Sequence, residues 1–263
     1  MANPALAVLE RPSAAGSGRP MSPGQAGGVN YVKAQYAQTA PPASRYMTLD
    51  DVVLRTAGML VTIVATGAVS WSLATSSIAG LLIVVGLVGG FGLGLYMAFT
   101  AKANAPLALS YAAFEGLLLG AVSRAFESWH SGVVIQALTG TVAVAAGMLF
   151  VYRIGAIRVT PRFTKMVVAG TFGVVALMIV NLLASLFVDG GLGLRDGGML
   201  AVGFSLLCIG LAAMNLVLDF DLVENAIRRG TDERFAWYCA FGLMVTLIWL
   251  YIEILRLLSN LRD

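Results

Sequence analysis

The chain has few charged residues and almost none of the residues that bind transition metals. Only 12% of its 263 residues are charged, against about 25% in an average globular domain. It contains one histidine, His130, and two cysteines, Cys208 and Cys239, which lie in or beside apolar runs. These residues supply neither a disulfide framework nor a transition-metal site, so we expect no resident metal and no cofactor.

Proline is scarce outside residues 1–46, which hold six of the eight prolines among Gly, Ser, Ala and Gln. A segment of this composition buries too little apolar surface to offset the entropy lost on ordering. It also lacks the apolar stretch after a basic start that marks a signal peptide. We therefore predict that residues 1–46 form a disordered tail.

Long apolar runs fill the rest of the chain, which is 58% hydrophobic overall with a mean hydropathy of +0.83. Each run is close to the roughly 20 residues that a helix needs to cross a bilayer. The runs lie at about 52–73, 77–99, 105–126, 133–154, 166–188, 198–222 and 235–258. Because the connections are short, neighbouring helices run antiparallel. The sequence predicts an all-α integral membrane protein, with a bundle of seven transmembrane helices over residues 47–263.

Basic residues are distributed unevenly between the two sides of this predicted bundle. With the N-terminus in the cytoplasm, 13 lysines and arginines lie inside and 4 lie outside. Cytoplasmic segments of membrane proteins carry the excess of positive charge. We therefore expect a multi-pass protein of the plasma membrane with a cytoplasmic N-terminus and an external C-terminus.

The sequence also lacks the residues of the common intramembrane enzymes and photoreceptors. There is no Ser/His pair, and the last predicted helix has no lysine for a retinal Schiff base. Three glycines at four-residue spacing, Gly86, Gly90 and Gly94, lie inside an apolar helix and not in a nucleotide-binding loop. They allow another helix to approach closely, either within the bundle or in a dimer. We expect no enzymatic activity and no nucleic-acid partner.

Acidic residues at or near membrane depth are the main functional candidates. A charge at the bilayer centre costs about 2.5–3.5 kcal/mol on insertion scales and usually marks function. The acids concerned are Glu115, Asp219, Asp221, Glu224 and Glu253. We give a functional role to Glu115, which has no basic residue near it on its own helix, and to Asp221.

Helical geometry separates these acids into different faces. Asp219 and Asp221 point about 200° apart and cannot share one face, whereas Asn215 and Asp219 are four residues apart and can. Glu253 lies seven residues after Thr246, hence on the same face. Arg256 follows Glu253 by three residues, so an intrahelical ion pair is an alternative explanation for Glu253.

Three runs together resemble a known family. They are Phe114–Gly120 (FEGLLLG), Phe220–Val223 (FDLV) and Trp249–Leu258 (WLYIEILRLL). In order and spacing they are similar to the Bax inhibitor-1-like (transmembrane Bax inhibitor motif) family, in a bacterial branch, over roughly residues 48–260. The resemblance implies a pH-sensitive calcium leak channel in the bacterial inner membrane. In that family two buried aspartates, on the sixth and seventh helices, share a proton and gate the pore.

The resemblance assigns roles to particular residues. Asp221 matches the first family aspartate through the preceding Phe220, while either Thr246 or Glu253 matches the second, depending on the anchor used. Arg55 and Lys102 are the candidates for the family's basic latch. The gating and ion-pathway candidates are Asp221, Asp219, Glu115, Glu253, Thr246 and Asn215.

The expected partners are calcium or protons and the lipid bilayer, and calcium would bind only transiently, at Asp221. The alternative is a regulatory protein of the membrane that binds other membrane proteins, such as a protease or a stress-response component, without transport.

Overall fold

The structure is a computed structural model that describes residues 45–74, 78–187, 191–194 and 198–262. The described residues form seven α-helices, all long and apolar enough to span a membrane. They are α1 (Leu49–Leu73), α2 (Ala79–Thr100), α3 (Ala105–Trp129), α4 (Val133–Arg153), α5 (Pro161–Ala184), α6 (Gly198–Arg228) and α7 (Phe235–Asn260). The predicted fold class and helix number are confirmed. Residues 1–44 of the predicted tail lie outside the described residues.

Several helix ends differ from the apolar runs because capping groups, and not hydropathy, set them. Helix α1 begins at Leu49, where Thr48 and Asp51 form a reciprocal capping box that satisfies free backbone N–H groups. Helix α5 begins five residues before its apolar run, because the Thr160 side chain caps it and Pro161 occupies the first turn. Helix α6 continues six residues past its predicted end, to Arg228.

Helix α3 occupies the middle of the first half of the bundle, and glycines on both sides bring its neighbours close. A Cβ atom on Gly86 of α2 would lie 2.7 Å from the Leu118 backbone nitrogen and 2.8 Å from the Phe114 carbonyl oxygen. On the opposite side, a Cβ on Gly120 of α3 would collide with the Gly67 carbonyl of α1. Of the two interpretations of the α2 glycines, packing within the bundle is the one observed.

Helix α7 packs against α1, α3, α4 and α6 and is the most buried of the seven. Its buried side chains include Met244, Leu250 and Leu255. Tyr111 of α3 meets Phe241 of α7 edge to face, with ring centroids 5.0 Å apart. The centre of the bundle therefore lies around α7, and polar side chains on this helix are held away from lipid.

A short strap, residues 45–47, pairs with the loop between α6 and α7. Met47 donates a backbone hydrogen bond to the Thr231 carbonyl at 2.8 Å, and Glu233 donates one to the Arg45 carbonyl at 2.9 Å. The Arg45 side chain forms ion pairs with Asp51 and with Glu233. Arg45 and Tyr46, which the sequence analysis assigns to the tail, therefore pair with the α6–α7 loop.

Candidate functional site

The polar junction between α6 and α7 is formed by Asp219 and Thr246. The Thr246 hydroxyl donates a 2.6 Å hydrogen bond to Asp219 Oδ2 and lies 3.2 Å from the Gly242 carbonyl of its own helix. Thr246 is buried and Asp219 is half-buried. Gly242 also faces the carboxylate, since a Cβ there would lie 3.4 Å from Asp219 Oδ1. A carboxyl group is thus held between the last two helices by a single hydroxyl partner.

Asp221, two residues further along α6, faces a different environment. Its Oδ2 accepts a 2.7 Å hydrogen bond from the Asn225 side chain. It lines a cavity of about 350 Å³ with Thr164, Arg229 and Thr231 among the other walls. The two aspartates point to different places, as the 200° offset predicts, and it is Asp219 that meets Thr246.

Asn215 and Glu224, the other polar side chains on this part of α6, contact different helices. Asn215 donates a 2.9 Å hydrogen bond to the Thr171 hydroxyl of α5. Glu224 is exposed and accepts a hydrogen bond from the Tyr152 hydroxyl of α4. Helix α6 therefore uses successive polar side chains to contact α5, α7 and α4 in turn.

Glu115 lies at the contact between α2 and α3. It is buried, and its Oε1 would be 2.8 Å from a Cβ placed on Gly90. The missing side chain at Gly90 therefore leaves the space that the carboxyl group of Glu115 fills. The structure does not bring Glu115 into the Asp219 junction.

Glu253 is buried near the far end of α7 and pairs with its own helix. Its Oε1 accepts a 3.3 Å ion-paired hydrogen bond from Arg256. The intrahelical ion pair predicted between Glu253 and Arg256 is therefore present. It stands seven residues, about 10 Å, beyond Thr246 along the helix axis.

Of the two candidate latch residues, Arg55 is the one that contacts the α6–α7 loop and the start of α7. Its guanidinium donates to the Glu233 carbonyl in the α6–α7 loop and lies 5.5 Å from the ring centre of Trp237. Lys102 is exposed in the α2–α3 connection. Arg55 therefore links α1 to the α6–α7 loop and to the start of α7. Among the described residues, its hydrogen bond is to a backbone carbonyl and not to an acidic side chain.

Three contacts at this end of the bundle were not predicted from the sequence: Arg45 with Asp51, Arg45 with Glu233, and Tyr152 with Glu224. For the first, the Thr48-x-x-Asp51 spacing indicates a capping box that places Asp51 at the start of α1, but it does not point to Arg45. The other two join residues far apart in the chain and have no sequence signature. Within the described ranges, no cluster of three or more His, Cys, Asp or Glu side chains could hold a metal ion.

The fold and this junction define a polytopic α-helical membrane protein whose last two helices meet through a carboxyl group. The profile of one family, described as Bax inhibitor 1 like, matches residues 16–263. The chain belongs to the Bax inhibitor 1-like family, as the resemblance predicted. The comparison with curated proteins finds no match.

Proposed function

We propose that the protein is a proton-sensitive leak pathway for cations, with calcium as the principal ion. The observation that supports this proposal is the Asp219 carboxyl group held between α6 and α7 by the Thr246 hydroxyl. An ionisable group inside a transmembrane bundle is energetically costly and usually marks a functional site. Because the chain belongs to the Bax inhibitor 1-like family, an ion pathway is the first function to test.

Protonation of Asp219 would change which atoms donate at this junction. An ionised carboxylate only accepts hydrogen bonds, so the Thr246 hydroxyl must donate to it, as observed. A neutral carboxyl group can donate to the Thr246 oxygen, and the Thr246 proton is then available for the Gly242 carbonyl. Binding or release of one proton thus switches the α6–α7 contact between two hydrogen-bonding arrangements. In the ionised arrangement, the negative charge of Asp219 attracts a cation.

In this proposal the junction contains one acid and one hydroxyl, and not a pair of acids. The resemblance led us to expect the titrating role at Asp221, but the structure puts Asp219 against Thr246. We therefore assign the proton-sensing role to Asp219. Cys239 of α7 also lies within electrostatic range of Asp219, and no ion pair in the described residues includes this aspartate.

We assign Asp221 to the entrance of the pathway. It opens onto a cavity that also offers the Asn225 amide and the Thr164 and Thr231 hydroxyls. Carboxylate and amide carbonyl oxygens are ligands that calcium prefers, and the adjoining Arg229 limits how long a cation would stay there. From the distribution of basic residues, we place this entrance on the cytoplasmic side of the plasma membrane.

Calcium flux into sealed liposomes tests the proposal. Purified protein is reconstituted into vesicles that contain a calcium-sensitive dye, and calcium is added outside at several pH values. We expect a leak above that of protein-free vesicles, with a rate that changes between pH 5 and 8. Vesicles that stay as tight as protein-free controls at every pH would contradict the proposal and favour a regulatory protein that binds other membrane proteins.

A further inference from the structure

An apolar groove of about 660 Å³ lies in the described bundle. Its walls come from α1, α3, α4, α6 and α7, and its floor includes Leu216 and Met244. In the described residues α1 and α4 share no extended contact, so they form the two edges of the groove. We call this cavity the α1–α4 groove.

The α1–α4 groove opens sideways toward the membrane. Its lining extends from Thr56 to Trp71 on α1 and from Val134 to Leu149 on α4. At about 1.5 Å per residue each edge is about 22 Å long, most of the roughly 30 Å hydrocarbon thickness of a bilayer. Lining residues on both edges, such as Val64 and Val142, are 68% exposed. An apolar chain in the membrane can therefore enter from the side.

Thr56 and Arg153 lie at the end of the groove at which α1 begins and α4 stops. There the Thr56 hydroxyl is shielded from solvent and has no hydrogen-bond partner in the described residues. One turn beyond Leu149 on the same face of α4 is Arg153, which is exposed and forms no ion pair within the described ranges. The far end is closed by Trp71 and by the Tyr251 and Ser123 hydroxyls, which bond each other at 2.7 Å.

We propose that the α1–α4 groove binds one acyl chain of an anionic phospholipid, with the lipid phosphate beside Arg153. A cavity lined by apolar groups does not hold water, and its volume is within the roughly 300–1,000 Å³ range of small-molecule sites. In a bilayer the available apolar occupant is a lipid chain. The position of Arg153 supplies the charge complementarity for the phosphate, and Thr56 supplies a donor at the depth of the ester linkage.

Tryptophan quenching by brominated lipid tests this proposal. Trp71 is kept as the only tryptophan through Trp129→Phe, Trp237→Phe and Trp249→Phe. The protein is reconstituted into phosphatidylcholine that contains increasing amounts of phosphatidylglycerol with brominated chains. A lipid bound in the groove quenches Trp71 in a saturable way at a low mole fraction. Lipid that only surrounds the bundle quenches in proportion to its mole fraction.

Two substitutions on one helix provide the matched comparison. Ala145→Phe fills the groove, which Ala145 lines, and should remove the saturable quenching. Ala143→Phe makes the same change at an exposed position of α4 outside the lining and should leave it intact. Should Ala145→Phe not fold, Ala146→Phe offers a second lining position that is exposed.

The headgroup part of the proposal has its own test. Arg153→Gln should raise the mole fraction of brominated phosphatidylglycerol needed for half-saturation by about fivefold, the effect of one basic residue on anionic lipid. Strictly proportional quenching in the wild-type background, or saturable quenching that Ala145→Phe leaves unchanged, would overturn the proposal. Proportional quenching from a protein that elutes as a dimer would assign the groove to a second copy of the chain.

Discussion

The hydroxyl of Thr246 donates a 2.6 Å hydrogen bond to the carboxylate of Asp219, and this contact joins α7 to α6 at the centre of the bundle. The resemblance to the family implies two acids that share a proton at the corresponding place. Here only one of the two side chains can titrate. A single titrating group releases its proton in one step, whereas two coupled acids titrate as a pair over a wider range.

Removing the Thr246 hydroxyl should destabilise the α6–α7 contact. Thr246→Val keeps the side-chain shape but leaves the Asp219 carboxylate without its donor, which typically costs about 1–3 kcal/mol. We expect a lower midpoint of thermal unfolding in detergent. Thr139→Val is the control, because the exposed Thr139 hydroxyl bonds only the Ile135 carbonyl of its own helix. Equal midpoints for the two variants would show that the junction adds no stability.

The two faces of α2 should respond in opposite ways to the same substitution. Gly86→Ala places a methyl group 2.7 Å from the Leu118 backbone nitrogen, so a helix must move, and we expect a loss of about 1–3 kcal/mol. At Gly92 a Cβ meets nothing within 4 Å, so Gly92→Ala should be neutral or stabilise by up to about 1 kcal/mol. Unfolding of both variants in detergent measures the difference, and a Gly86→Ala protein as stable as wild type would contradict the packing described.

The strap of residues 45–47 should loosen when its side-chain anchor is removed. Arg45→Ala breaks the ion pairs to Asp51 and Glu233, so the backbone bonds of the strap open more often. We expect faster amide hydrogen exchange at Met47 and Glu233, by severalfold. Arg158→Ala, which removes an exposed charge between α4 and α5, should leave exchange at these amides unchanged. Unaltered exchange in Arg45→Ala would mean that the backbone pairing alone holds the strap.

The sequence was sufficient for the number, order and approximate positions of the helices, because each crosses the bilayer as one apolar run. It was less informative at helix ends such as Arg228, where α6 continues after hydropathy has fallen. The site was predicted only in part. Helical offsets separated Asp219 from Asp221, but which of them faces α7 depends on how two helices are rotated about their axes. That rotation is set by packing throughout the bundle and leaves no local mark in the sequence.

Orientation in the membrane is open to a direct test. The excess of basic residues at the end where α1 begins predicts a cytoplasmic N-terminus and, with seven helices, an external C-terminus. A fluorescent reporter that matures only in the cytoplasm should be active when fused before α1 and inactive when fused after α7. Activity at both ends would contradict either the orientation or the number of helices that cross the membrane.

The pH profile of calcium leak in two matched variants tests the central claim most directly. Asp219→Asn and Asp221→Asn make the same change on different faces of one turn of α6, and each amide keeps the size of the carboxyl group but cannot titrate. Leak into dye-loaded liposomes is measured from pH 5 to 8 for both variants and the wild type. We predict a wild-type leak that varies with pH, a flat profile for Asp219→Asn, and a pH-dependent profile of altered magnitude for Asp221→Asn. A profile that stays pH-dependent in Asp219→Asn and becomes flat in Asp221→Asn would contradict the assignment of the proton sensor to the Asp219–Thr246 junction.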